Sequence, residues 1–160
     1  MGFALTVSEK NASSDCEVTD LYINLTLPDT SVWVPYFRRP VRPRLQLRIQ
    51  ELTVSDSLAT CDLVRLELLR GARDDHEFTR IDRILNAARR LPTGDREWDQ
   101  AIQLGYRLKR SGVTVSVTDL FVGVVAMTYQ VSLMHADEVF EQMRPHSNLI
   151  TEPVFDLLTP

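Results

Sequence analysis

Four acidic residues, Asp29, Glu67, Asp119 and Asp137, fall where predicted β-strands give way to helices. In an open α/β sheet ligands bind at the carboxyl ends of the strands, so acids at such transitions gather at one end of the molecule. Four carboxylates cannot all stay ionised side by side without a cation, because like charges repel strongly at short range. A hard divalent ion such as Mg2+ or Mn2+, which takes oxygen ligands, would resolve the conflict. Each acid also has a structural reading of its own. Asp29 and Asp119 are good helix N-caps, Glu67 suits a solvated helix face, and Asp137 suits a first turn where the helix dipole favours negative charge.

The elements that must position these acids follow from periodicity. Leu21–Leu27 alternates as a strand, and Pro28-Asp29-Thr30-Ser31 ends it and opens a helix expected over Ser31–Arg39. Leu45, Leu47, Ile49 and Leu52 predict a short helix, followed by a strand near Val54–Thr60. Leu63, Leu66 and Leu69 space a helix that starts at Asp62 and stops at Gly71. Another is expected over Asp74–Arg90, closed by Leu91-Pro92. Thr93 or Asp95 caps the next, with Trp98, Ala101, Ile102 and Leu108 on its apolar side. Val113–Val117 reads as the clearest strand of the chain, and Thr118-Asp119 as the cap of an apolar helix over Leu120–Tyr129. Val131–Met134 reads as the last core strand, and His135-Ala136-Asp137 leads into a short helix through Met143. Strands alternating with helices predict an α/β fold: one three-layer domain over residues 20–160, with a central parallel sheet flanked by helices. Residues 1–19 are polar and aperiodic, and are expected to be a flexible extension.

Composition narrows the function. With 160 residues, 44% of them hydrophobic, and a net charge of −4, the chain suits one globular domain and does not suit disorder. The longest apolar run, Leu120–Met127, is far too short to span a bilayer. Only Lys10 and Lys109 are lysines, so nearly every cation is an arginine, the side chain that grips phosphate in a planar fork. Arg38, Arg39, Arg42, Arg44 and Arg48 follow Asp29 closely and would line the approach of a nucleic acid to an acidic pocket. Arg107, Lys109 and Arg110 form a second basic group, and either group also reads as a solvated face. Cys16 and Cys61 have neither CxxC nor metal-ligand spacing, and no secretory signal is visible, so a reducing, cytoplasmic setting is expected. Nothing matches a G-x-S-x-G elbow, a P-loop or a G-x-G-x-x-G turn. Lys109 precedes the predicted strand rather than following it, which disfavours a phospho-receiver domain.

Four segments together resemble a known family. Leu27-Pro28-Asp29-Thr30-Ser31-Val32-Trp33 is similar to the D-T-S-x-W opening of PIN-domain ribonucleases, most closely the VapC toxins of VapBC toxin–antitoxin modules. Leu66-Glu67-Leu68-Leu69-Arg70-Gly71 resembles the second block, Thr118-Asp119-Leu120-Phe121-Val122-Gly123 the third, and His135-Ala136-Asp137-Glu138-Val139-Phe140 the fourth. The resemblance runs from about Leu21 to Leu149. It implies a PIN fold in a bacterium or archaeon, with Asp29, Glu67, Asp119 and Asp137 holding Mg2+ or Mn2+. It also implies cleavage of an RNA phosphodiester to 5′-phosphate and 3′-hydroxyl ends. Thr30 or Ser31 would bind a metal-bound water or orient Asp29, and Arg38 and Arg39 would meet the RNA. The implied partners are a VapB-like antitoxin and a second copy of the chain, seated on the helices around Arg44–Leu52 and Asp74–Arg90. Val139 stands where many members carry a further Asp, and Pro28 replaces a usual apolar strand residue. Those departures raise the alternative of a catalytically inactive PIN-like binding or regulatory module.

Overall fold

The computed structural model describes Tyr22 and residues 24–159. The expected extension over residues 1–19, and Leu21 and Ile23 of the first expected strand, lie outside the described residues. Five short strands, β1 (Thr26–Pro28), β2 (Ala59–Cys61), β3 (Arg89–Leu91), β4 (Ser132–His135) and β5 (Thr151–Pro153), are all paired in parallel. The pairing β1–β4–β5 forms one ladder and β2–β3 another. A parallel bridge between Thr26 and Leu58, with Thr26 N–H donating to the Ser57 carbonyl at 2.8 Å, brings the two edge to edge. In register, Leu27 sits beside Leu133 and Pro28 beside Met134. Seven α-helices surround the strands: α1 (Thr30–Phe37), α2 (Pro43–Val54), α3 (Asp62–Arg70), α4 (Asp75–Ala87), α5 (Asp95–Arg110), α6 (Val117–Thr128) and α7 (Glu138–Met143). The α/β reading with a parallel sheet between helices holds.

The core explains the arrangement. Every strand residue of β1 and β2 is buried, as parallel strands covered on both faces require. Helix α6 buries Phe121 through Ala126 without interruption and forms the hydrophobic spine. Helix α5 crosses it where a Cβ on Gly105 would stand 2.7 Å from Leu120 Cδ2, so the lack of a side chain there permits the close approach. Helix α1 runs through Pro35 into its second turn, beyond the first turn expected to confine that proline, and ends two residues later. No helix among the described residues is long and apolar enough to cross a membrane.

Several expectations are corrected. Val113–Val117 is not a strand: Val113 and Val115 turn inward while Thr114 and Ser116 stay exposed, yet the segment joins no ladder. Alternation reports an extended chain with one buried face, and here no neighbouring strand edge is offered to it. Helix α6 therefore begins at Val117 and is capped by Ser116, whose Oγ accepts from the Asp119 N–H, not by Thr118 or Asp119. The helix expected over Asp74–Arg90 ends at Ala87, and Arg89–Leu91 is strand β3, with only Leu91 buried. On α5 the inward residues are Ala101, Leu104 and Leu108; Trp98 is half-exposed with its ring 4.1 Å from that of buried Phe121, whereas Ile102 and Tyr106 stand outward. Helices α2 and α4, where a subunit contact is expected, bury Leu45, Ile49, Leu52, Ile81 and Leu85 in the chain's own core and leave Leu47, Val54 and Phe78 exposed.

The entry to α4 is tightly tied. Asp74 caps the helix through the Glu77 N–H at 2.7 Å, and Glu77 receives both Arg73 Nε (2.9 Å) and Arg73 Nη2 (3.0 Å). The Arg73 guanidinium and N–H hold the Glu77 carboxyl down to about 2. A carboxyl that titrates lower folded than unfolded stabilises fully above the ordinary glutamate value, roughly 4.3, and loses that contribution as the pH falls through its folded value. Between about pH 4.3 and 2, the urea midpoint of the wild-type chain is expected to fall more steeply than that of Glu77→Gln. Parallel curves would refute the ion pair's contribution.

Candidate functional site

Asp29 is the residue immediately after β1 and is buried. Its N–H donates to the Met134 carbonyl at 2.9 Å, continuing the β1–β4 ladder, so its backbone is fixed by the sheet. One carboxylate oxygen, Oδ2, accepts from the Ser31 N–H at 2.8 Å and caps α1. The other, Oδ1, is buried with no hydrogen-bond partner among the described residues. A lone buried carboxylate oxygen is costly unless something meets it.

The other three acids are brought toward that oxygen by different elements. Glu67 lies in the second turn of α3, half-buried, with the Thr30 and Thr118 side chains near enough to favour the charged form of its carboxylate. Burial, and next the charge of Asp29, push its carboxyl above the usual range, and Asp119 adds to the effect. Asp119 is in the first turn of α6, its Oδ2 accepting from Ser116 Oγ at 2.6 Å. Burial also pushes Asp119 up, partly offset by Ser116, and the charges of Asp29 and Asp137 act in the same direction as burial. Asp137 follows β4 by two residues, is exposed, and caps α7 through the Val139 N–H at 2.9 Å. The charge of Asp29 is thus felt by both Glu67 and Asp119, and that of Asp137 by Asp119. Among the described residues no three His, Cys, Asp or Glu side chains stand close enough together to enclose one metal ion as they are.

The turn bearing Asp137 is pinned from two sides. Ser31 Oγ accepts the Ala136 N–H at 3.0 Å, linking α1 to the end of β4 across 105 residues. Fully buried His135 accepts the Asp137 N–H at Nδ1 (3.4 Å), which leaves Nε2–H to donate to Glu141 Oε1 at 3.2 Å. Sequence reading did not find this bracing role of His135. The Ser31 hydroxyl, expected to bind a metal-bound water or orient Asp29, braces the site through this bond, and its own backbone N–H is the group that meets Asp29. Thr30, facing Glu67, remains at the site and lines a cavity of about 240 Å³ with Arg38, Arg73 and Ile81.

The arginines divide. Arg42, Arg44 and Arg48 do not line the approach; they bind the chain's end, through Arg42 Nε to the Leu158 carbonyl (3.0 Å), Arg44 to Asp156 (2.9 Å) and a two-pronged Arg48–Glu152 pair (2.8 and 3.1 Å). Arg38 and Arg39 stay exposed beside the cavity. Arg107 lines a separate cavity with Asp99 and Gln130, and Arg110 lies over the Tyr106 ring.

The PIN-domain profile matches residues 26–144. Ribonuclease VapC11 of Mycobacterium tuberculosis is 30% identical over 129 residues, which span 78% of this chain and 96% of that protein. The chain belongs to the PIN-domain family, in its VapC branch. Ribonuclease VapC18 of the same organism is 26% identical over 128 residues, covering 78% of this chain and 90% of that one. Among solved structures, VapBC2 from Rickettsia felis bound to a promoter DNA fragment superposes with a TM-score of 0.70 at 16% identity, covering 81% of this chain and 98% of its own. DNA-bound VapBC from Salmonella typhimurium gives 0.67 at 15%, covering 81% and 97%. These likenesses show the fold, and the PIN profile begins at β1 and includes all four acids.

Because Asp29 raises its neighbours, Asp29→Asn, which keeps an N-capping side chain, is expected to lower the titration midpoints of Glu67 and Asp119. Carboxyl-carbon NMR shifts followed against pH would check this; unchanged midpoints would show that the acids do not share a field.

Proposed function

We propose that the chain is a metal-dependent endoribonuclease and the toxin of a type II toxin–antitoxin pair. The observation that carries this reading is the buried, unpaired Oδ1 of Asp29, set among the carboxylates of Glu67, Asp119 and Asp137 at the strands' carboxyl ends. An all-oxygen donor set with one unmet buried oxygen fits a hard divalent ion, so these four residues would hold Mg2+ or Mn2+. Such an ion, when bound, lowers the pKa of water and offsets charge on phosphoryl oxygens. The chain's own groups do the rest. Asp29 and Asp137 present oxygens from rigid N-cap positions, Ser116 orients Asp119, Thr30 orients Glu67, and Arg38 at the rim meets a phosphate. The names of the VapC relatives support RNA as the substrate. The two departures that motivate the inactive-module alternative fit the fold: Val139 packs half-buried against the core, and Pro28 ends β1 in register with Met134.

The partners follow the same reading: a VapB-like antitoxin, in the cytoplasm of a bacterium or archaeon, and a second copy of the chain. Trp98, Ile102 and Tyr106 form an exposed i, i+4, i+8 stripe on α5, and a two-fold contact needs one patch that matches itself.

Purified protein is expected to cleave RNA with Mg2+ or Mn2+, to stop when EDTA is added, and to recover when the ion is restored. Asp29→Asn and Asp119→Asn should each slow cleavage on the order of a hundredfold or more; unchanged rates in both would overturn the site. Ile102→Glu is expected to convert a dimer to a monomer by light scattering after gel filtration, whereas an unshifted mass would move the contact elsewhere.

A further inference from the structure

Asp137 stands on a short turn between β4 and α7, so its place depends on what holds that turn. His135 holds it at closest range. The His135 carbonyl accepts the Val154 N–H at 2.8 Å, continuing the β4–β5 ladder past Pro153. Its ring has no exposure to solvent, with centroid distances of 5.1 Å to Phe140 and, edge-on, 6.0 Å to Phe155. Enclosed in this way, the imidazole keeps its place, and its surroundings have still to decide which nitrogen carries the proton. With the proton on Nε2, Nδ1 is bare and accepts the Asp137 N–H at 3.4 Å. With it on Nδ1, two N–H donors would face each other and the turn would have to open. Glu141 bears on that choice. Its Oε1 lies 3.2 Å from Nε2, and a carboxylate only accepts, so it favours the proton on Nε2. The Thr151 side chain on β5 and the Arg144 guanidinium, 3.3 Å from Oε2, favour the charged form of this carboxylate.

We infer that Glu141 is a positioning residue for the candidate metal site: it holds the His135 proton on Nε2 and thereby fixes the turn that carries the Asp137 carboxylate. The inference rests on the proposed function in one respect, that Asp137 is a metal ligand. Glu141 lies four residues beyond Asp137, on the helix that follows, and acts through the imidazole. An imidazole that binds a metal is oriented by a carboxylate on its other nitrogen. Here the same carboxylate–imidazole pair points at the backbone N–H of the ligand residue instead. Asp137 is the acid that needs it. Asp29 is fixed by the β1–β4 ladder and Asp119 by Ser116, whereas Asp137 is exposed and its Oδ1 is bound to its own turn at the Val139 N–H. Ser31 holds that turn from α1 at Ala136, and the His135–Glu141 pair holds it at Asp137 itself.

The test first reads the metal-free full chain as wild type, Glu141→Leu and Glu141→Gln. Long-range proton–nitrogen NMR spectra give the His135 tautomer, and hydrogen exchange gives the protection of the Asp137 N–H. Glu141 is partly exposed, so both variants are expected to fold, which their amide spectra check. Wild type is expected to carry the proton on Nε2. Leucine accepts nothing, so Glu141→Leu should move the proton toward Nδ1 and speed exchange at Asp137. It should also weaken Mn2+ binding, followed by calorimetry, about tenfold or more, the range for losing an outer partner of a metal ligand. Glu141→Gln keeps an oxygen at the same reach and should recover most of these losses. A wild-type proton on Nδ1 would overturn the inference. An unchanged exchange rate or Mn2+ affinity in a leucine variant whose tautomer has moved would do the same. Weaker Mn2+ binding with the tautomer unmoved would reduce Glu141 to a packing contact and also overturn it. A wild-type chain that binds no Mn2+ would overturn the metal reading, and exchange at Asp137 would then decide by itself whether Glu141 fixes the turn.

Discussion

The buried carboxylate of Asp29 at the end of β1 is the constraint on which the candidate site depends. Asp29 is its centre, because the sheet fixes its backbone and the helix that follows fixes one oxygen, leaving the other buried and unmet. Keeping such a group in place costs stability, and the surrounding hydrogen bonds offset that cost locally. The Ser31 hydroxyl ties the first helix to the far strand's end, His135 stiffens the turn carrying Asp137, and Ser116 holds Asp119.

Much of this was legible in the sequence, and particular residues show why. Asp29, Glu67, Asp119 and Asp137 stood out because helix starts and strand ends leave strong local marks. Helices α1, α3 and α6 were legible from the residues that start and stop them, but the face was not always. Helix α3 buries Val64 and Leu68 and exposes Leu66. Strand β1, expected over Leu21–Leu27 from its alternation, is strand over Thr26–Pro28 and buried throughout. What escaped was decided by partners. Strand β3 has two exposed arginines and one buried leucine, and β5 is Thr-Glu-Pro; neither carries an apolar rhythm, and both are strands because a neighbouring edge accepts them. Val113–Val117 is the converse case, with the rhythm of a strand and no edge to join.

The arginines taught the same lesson about charge. Five of them clustered near Asp29 looked like one basic face, yet three bind groups more than a hundred residues away, and Arg73 and Arg80, outside the cluster, join the remaining two. Linear proximity groups charges by codon; the fold regroups them by the acids that claim them.

The clasp of Arg42, Arg44 and Arg48 on residues 152–158 also acts as a charge mask. Asp156 and Glu152 neutralise two of those guanidiniums and a carbonyl oxygen occupies the third, so the field a polyanion would meet on that side of the molecule is weaker than the number of arginines alone suggests.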